Sequence, residues 1–391
     1  MKELQSNIWK LSAIRALKSF MLIMPVITLF YQENGLTVHD IFLLQAIFSL
    51  FVLVLDIPTG YFADIFTRRA SLLIGGVVSS MGWAVYAVSS GFWGFLLAEI
   101  VLGIGTSFVS SADSAMLHDT LKVLSREREY GRQESKNQGF GLYSEAVSGV
   151  LGGFLAVVSL RLPLVIDIFV TFLIVPLAYS LVEPMREKLS LKKSHLEEIV
   201  EVVRYALFGH KEVALLILYY GLVSASTLTM VWFSQPYLLA SGLPIVYFGI
   251  VWSGLLLKTS ILSGKAPQIE RFFGRKKSLI ILWLLPVAGY FLTGMFMPVW
   301  SFIFLGCFYI TRGVINPVIL DYTNKLISSD IRATVLSVKN VPVRLIFMVL
   351  GPGVSLLADT YSLQFALLVT GGIFFLSGGV IILSMQKARI L

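Results

Sequence analysis

The chain has 391 residues, 56% hydrophobic and only 14% charged, with a mean hydropathy of +0.82; soluble domains carry roughly 25% charge, so a soluble globular fold is excluded and a polytopic membrane protein is expected. A net charge of +8 would suit nucleic acid, but the basic residues fall in short connections between apolar runs, which is how membrane topology is written, and no nucleic-acid partner is expected. A single cysteine, Cys307, excludes an intramolecular disulfide, and His39, His118, His195 and His210 lack metal-ligand spacing, so neither a metal nor another cofactor is expected.

Apolar runs of about 20 residues, the length that crosses ~30 Å of hydrocarbon, predict twelve transmembrane helices. Their limits are 8–32, 38–62, 70–90, 92–119, 136–159, 162–182, 210–239, 245–264, 277–297, 299–324, 332–358 and 362–385. The first run continues from Ile8 to Tyr31 without a small-residue cleavage site, so it reads as a retained span and not as a signal peptide. Taken alternately, one set of connections holds Lys2 and Lys10, Arg68 and Arg69, the cluster Lys122 to Lys136, the linker from Arg186 to Lys211, the cluster Lys265 to Lys277, Lys325 with Arg332, and Lys387 with Arg389. The opposite set holds only Arg161. Both termini are therefore expected in the cytoplasm and the chain in the cell (inner) membrane.

Between the second and third spans, Asp56-Ile57-Pro58-Thr59-Gly60-Tyr61-Phe62-Ala63-Asp64-Ile65-Phe66-Thr67-Arg68-Arg69 puts charge between two apolar runs. Asp64 and Arg68 stand one turn apart and can pair, while Gly60 can end a helix and let a neighbour approach closely. Gly60-x-x-x-Asp64-x-x-x-Arg68-Arg69 resembles the loop between the second and third helices of the major facilitator superfamily, with Thr67 where that pattern has its second glycine. Asp56-Ile57-Pro58-Thr59-Gly60 and Asp113-Ser114-Ala115-Met116-Leu117-His118-Asp119-Thr120-Leu121 look like one bacterial, exporter-like branch of it. The resemblance implies a cytoplasmic gate made of Asp56, Gly60, Asp64, Arg68 and Arg69.

From Glu183 to Gly209, Leu196, Ile199, Val200, Val203 and Leu207 recur at helical spacing beneath Lys192, Lys193, Glu197, Glu198 and Arg204, an amphipathic helix expected to lie on the inner face. This linker divides the chain into residues 1–182 and 210–391. The two parts echo each other after roughly 200 residues: Glu270-x-x-x-Gly274-Arg275-Lys276 repeats Asp64-x-x-x-Arg68-Arg69-Ala70, Gly351-Pro352 falls opposite Ser148-Gly149, and Asp321 to Lys325 mirrors Asp119 to Lys122. Glu270 and Arg275 thereby join the expected gate. The fold the resemblance implies is all-α, with twelve transmembrane helices in two pseudo-symmetric six-helix bundles around a central cavity.

An ionisable group inside a span costs roughly 2.5–3.5 kcal/mol on insertion scales, so each needs a partner, water or a function. Arg15, Lys18, Glu99, Asp113, Glu145, Asp167, Lys258, Arg312, Lys339 and Arg344 all fall within spans. The superfamily's first, fourth, seventh and tenth spans line its cavity, which implies cavity positions for Arg15, Asp113 and Arg312. Glu145, Lys258 and Arg344 fall near mid-membrane, and Lys18, Glu99, Asp167 and Lys339 lie nearer span ends, where they can snorkel. The expected substrate-binding set is Arg15, Asp113, Lys258, Arg312 and Arg344. A carboxylate out of water is a natural proton acceptor, and Asp113 and Glu145 are the proton-coupling candidates. Glu99 stands where the family has an arginine before Gly103-Ile104-Gly105, and the antiporter signature G-P-x-x-G-G is present only as Ser148-Gly149-Val150-Leu151-Gly152-Gly153. Trp232, Phe233, Tyr237, Phe140 and Tyr143 read as packing or interface anchors before they read as a ring-stacking site.

No G-x-x-x-x-G-K-[ST] loop for ATP and no nucleophile–base constellation is present in the sequence, so an enzyme is not expected. The expected function is secondary active transport by a monomer, coupling protons to export of a small drug-like, anionic or zwitterionic solute by alternating access. Proton-coupled uptake of an anionic nutrient or metal chelate is the alternative. A non-transporting receptor or scaffold would need a large extramembrane domain, and the longest non-spanning stretch is the short linker.

Overall fold

The computed structural model describes residues 2–185, 211–326 and 339–388, without the side chains of Asp56, Ile57, Asp64 and Asn324. The amphipathic helix expected between Leu196 and Leu207 therefore lies outside the described residues. In chain order the helices are α1 (Lys2–Ser19), α2 (Ile27–Glu33), α3 (Val38–Ile65), α4 (Arg68–Val88), α5 (Gly91–Val123), α6 (Tyr130–Val158), α7 (Arg161–Phe172), α8 (Ile174–Tyr179), α9 (Lys211–Ala240), α10 (Phe248–Met295), α11 (Gly306–Asn324), α12 (Asn340–Thr360) and α13 (Leu363–Lys387).

Eleven helical stretches among the described residues are long and apolar enough to cross a membrane. One of them, Ile245–Met295, has 51 residues, over twice the ~20 a crossing needs. Its helix α10 turns at Gly274, where φ is 75° and ψ is 162°, a backbone conformation that glycine adopts at little cost. Counted as two arms, this stretch brings the crossings to the expected twelve.

The first span is not the continuous helix expected over 8–32. It starts at Lys2, stops at Ser19, and resumes through a 3-10 turn at Met24–Val26 into α2. Pro25 explains the break, because its ring excludes the carbonyl one turn earlier and it has no N–H to donate. The amides freed beside it are taken by α7: Leu22 N donates to Asp167 Oδ1 at 3.0 Å and Ile23 N to Asp167 Oδ2 at 3.3 Å. Helix α6 closes the other side, where Ser144 Oγ donates to Ala16 O at 2.7 Å and Gly152 packs so closely that a Cβ would sit 1.8 Å from Leu22 O.

Two compact units divide the chain. The first takes Met1–Leu36, Ile47–Ser190 and Pro244–Leu257, and the second Thr37–Ala46, Leu191–Leu243 and Lys258–Leu391. In the first, α4 and α5 meet through small residues: a Cβ on Gly105 would lie 2.4 Å from Ser79 N, and one on Gly82 would lie 2.6 Å from Leu102 Cγ. Close backbone approach of this kind is how helices associate where lipid competes with apolar side chains. The Ser148-Gly149-Val150-Leu151-Gly152-Gly153 stretch serves packing on two sides, since Gly149 and Gly153 lie against Gly249 while Gly152 meets the break in the first span. In the second unit Leu216, Tyr219, Val223, Ile315, Val318 and Ile319 lead a core closed by Ile382 and Met385 of α13.

Candidate functional site

Arg15 stands one turn before the end of α1 and is met by α5 and α6 together. Its Nε lies 3.0 Å from Asp113 Oδ2, and its Nη2 lies 3.0 Å from Glu134 Oε1 and 2.9 Å from Ser114 Oγ. Ser114 Oγ in turn donates to Glu134 Oε1 at 2.9 Å. Asp113 is 3% exposed, Glu134 16% and Arg15 19%, so two carboxylates share one guanidinium largely out of water. Among the described residues neither Asp113 Oδ2 nor Glu134 Oε2 receives a hydrogen bond, and Arg15 Nε meets Asp113 Oδ2 as a charge contact. An ion pair taken from water needs its lone pairs satisfied to recover the desolvation cost. With both acids ionised this cluster has a formal charge of −1.

The sequence places Arg15 and Asp113 in the substrate-binding set and names Glu145 as the second acid; the structure brings Arg15 and Asp113 together, with Glu134 as the second carboxylate. Glu145 lies part-buried on α6, eleven residues beyond Glu134 and thus about 16 Å further along the helix. Glu134 falls in the charged run Lys122 to Lys136, which reads as a connection in the sequence, whereas α6 begins at Tyr130. A signal was present: Glu134, Asn137, Gly141, Ser144, Ser148 and Gly152 recur at helical spacing as one small and polar stripe.

Two acids expected to snorkel are instead interior. Glu99 is 4% exposed and accepts from Tyr31 Oη at 2.9 Å, and that hydroxyl also lies 2.6 Å from Tyr86 Oη. Asp167 is fully buried at the break described above. Both carboxyls find donors inside the unit, which replaces the need to reach water. Lys18 likewise donates to Ser110 Oγ at 2.6 Å.

The remaining basic candidates lie in the second unit. Arg312 and Asn316 stand one turn apart on the exposed face of α11, and Lys339, just before α12, donates to Asn316 Oδ1. Lys339 Nζ also sits 5.0 Å over the Tyr220 ring. Lys258 is exposed on α10 and Arg344 part-buried on α12. Of the aromatic candidates, Trp232, Phe233 and Tyr237 are buried: Phe233 packs on Phe42, and Tyr237 Oη donates to Ser301 Oγ at 2.6 Å. Phe140 and Tyr143 are exposed on α6.

At the gate stretch, α3 runs through Gly60 to Ile65, so the helix end expected there is not present, and among the described residues a Cβ at Gly60 would meet nothing within 4 Å. The turn instead rests on Thr67, extended at φ −153°, whose Oγ1 accepts from Ala70 N at 2.9 Å. Glu183 supplies the next acceptors: its two oxygens take Arg68 N and Arg69 N, each at 2.9 Å. All three leading amides of α4 are thereby satisfied, and a carboxylate sits at the positive end of the helix dipole. The side chains of Asp56 and Asp64 lie outside the described residues. Arg68 Nε faces Asp119 Oδ2 at 3.4 Å, and the Arg69 guanidinium lies 4.8 Å over the Tyr179 ring. In the second unit Glu270 Oε1 accepts from Tyr322 Oη at 2.6 Å, and the Arg275 guanidinium lies 4.8 Å over the same ring. The repeated stretches thus each tie to the end of a following span, through different chemistry.

A model of the Major Facilitator Superfamily matches residues 12–338. Among curated relatives, the quinolone resistance protein NorA of Staphylococcus aureus (strain MRSA252) is 23% identical over 209 residues, covering 53% of this chain and 53% of that protein. The chain thus spans about half the length of the curated relatives it matches. Among solved structures, a point mutant of the nucleoside transporter NupG superposes with a TM-score of 0.81 at 13% identity, covering 98% of this chain and 99% of that one. A bacterial homolog of the human lysosomal transporter Spinster follows with 0.77 at 16%, covering 98% and 97%. At such identities the likeness shows the fold, and it does so end to end. With the family model covering most of its length and this helical architecture throughout, the chain belongs to the Major Facilitator Superfamily.

Proposed function

We propose that this membrane transporter exports a small organic solute in exchange for protons, as a monomer in the cell (inner) membrane with cytoplasmic termini. The observation that carries the reading is the sharing of Arg15 between Asp113 and Glu134. A proton on either carboxyl and the cationic group of a zwitterionic or drug-like solute compete for the spare negative charge of Asp113 and Glu134, while Arg15 faces the solute's anionic group, so protonation releases the solute and loss of that proton restores the charge that binds it. Lys258, Arg312 and Arg344 offer the solute further positive charge. Asp56, Gly60, Asp64, Arg68 and Arg69, with Glu270 and Arg275, serve the cytoplasmic gate, and Asp119 and Glu183 brace it.

Export is supported by the partial likeness to NorA, a quinolone resistance protein. The basic set around Arg312 and Lys339, with the likeness of fold to a nucleoside transporter, supports a second reading: proton-coupled uptake of an anionic nutrient. Purified protein in sealed vesicles, given an imposed pH gradient of either sign and a panel of labelled solutes, separates them. Accumulation in vesicles acidic inside marks antiport; accumulation in vesicles acidic outside marks symport. Equal movement under both gradients removes proton coupling.

A further inference from the structure

On α1, Leu4, Asn7, Leu11 and Ile14 are buried and recur on one face. The opposite face, with Ile8, Trp9, Ala13 and Ala16, forms with α6 a groove of about 600 Å³, within the range of small-molecule sites. The groove exists because Ala13 and Ala16 make a low floor between two large walls, Trp9 and Phe140, which stay 58% and 42% exposed. From Gln5 to Ala16 it runs eleven residues, about 16 Å at 1.5 Å per residue, close to one leaflet of a bilayer with ~30 Å of hydrocarbon. Its polar end carries Arg126 and Lys136. Arg126 is committed to Glu129 by two contacts of 2.7 Å. Lys136 stands 5.7 Å over the Phe140 ring, and among the described residues it has no carboxylate partner.

We infer that this groove binds one anionic phospholipid, its acyl chain lying over Ala13 and Ala16 against Phe140 and its phosphate on Lys136. A polar stretch with Arg126, Gln133 and Lys136 followed by an apolar one of Ala13, Ala16 and Phe140 matches the order of headgroup and chain in such a lipid, and Trp9 sits where an interfacial indole anchors. The groove's lining does not include Arg15, Asp113 or Glu134, and the inference does not depend on what is transported.

The test uses the full chain in nanodiscs holding equal phosphatidylglycerol and phosphatidylcholine, released into native mass spectrometry. Wild type retains one phosphatidylglycerol in preference to phosphatidylcholine. Lys136→Gln, on an exposed surface, lowers that preference about fivefold, the share of one basic residue near an anionic headgroup, and Ala13→Leu abolishes retention by filling the floor. Should Ala13→Leu fail to fold, brominated-chain phosphatidylglycerol supplies the second readout: it quenches wild type more than Trp9→Phe, and brominated phosphatidylcholine does so less. The inference is overturned if both variants retain wild-type phosphatidylglycerol, which is also what a groove filled by residues 186–210 would give. Displacement of the lipid by millimolar inorganic phosphate would overturn it too, by assigning the site to a free anion.

Discussion

Removing the carboxylate of Asp167 should open the break in the first span and, with it, displace the candidate site. Its two oxygens take Leu22 N and Ile23 N at 3.0 and 3.3 Å in a fully buried setting. Asp167→Ala leaves two amides without an acceptor, at about 1–3 kcal/mol each, or about 2–6 kcal/mol together. Asp167→Asn keeps one acceptor oxygen and turns an NH2 toward the other amide, so about half that loss is expected. One kcal/mol shifts melting by at most ~2 °C in a chain this long, which gives roughly 3–10 °C for alanine and less for asparagine. The measurement is thermal unfolding of the detergent-purified variants beside wild type, with transport assayed on the same preparations. Arg15 lies only seven residues before Leu22, so transport should fall in the same order as melting. Wild-type melting of Asp167→Ala would refute the argument, since it would mean the freed amides are not held by this side chain.

Gly274→Ala should destabilise by about 1–3 kcal/mol, because its φ of 75° strains any residue with a Cβ, whereas Gly60→Ala, helical and with open space around it, should be neutral or gain up to ~1 kcal/mol; paired melting curves decide. Gly152→Ala must push α6 off Leu22 O and should cost about 1–3 kcal/mol or more, read as loss of monodisperse protein on gel filtration. Glu183→Ala removes two acceptors from the start of α4 at about 0.5–2 kcal/mol, and hydrogen exchange of the Arg68 and Arg69 amides should rise while that of Ala70, held by Thr67, changes least.

The spans were legible because lipid enforces a simple rule of length and apolarity; Arg15 and Asp113 were legible singly, as charges within spans that each demand a partner, but not as partners of each other. The break at Pro25 was also written in the sequence, yet hydropathy averages over it, and the acceptor that makes it tolerable is Asp167, nearly 150 residues away. Glu134 was hidden by its neighbours: α6 extends beyond the apolar run, so a charged helix end looked like a loop. Gly60 and Thr67 show the limit of motif reading in the other direction. The pattern located the turn, but the work assigned to glycine is done by a threonine cap and by Glu183, whose position depends on where the sixth span ends.

The most direct test of the proposed coupling is accumulation of a transported solute driven by an imposed pH gradient, measured against gradient-free solute exchange in the same proteoliposomes. Asp113→Asn and Glu134→Gln should each lose pH-driven accumulation while keeping exchange, because Arg15 then has one fewer titrating partner but still holds the solute. If both variants accumulate solute normally, or if Glu145→Gln loses coupling while Glu134→Gln keeps it, the proton is carried elsewhere and the Arg15 cluster is a structural ion pair.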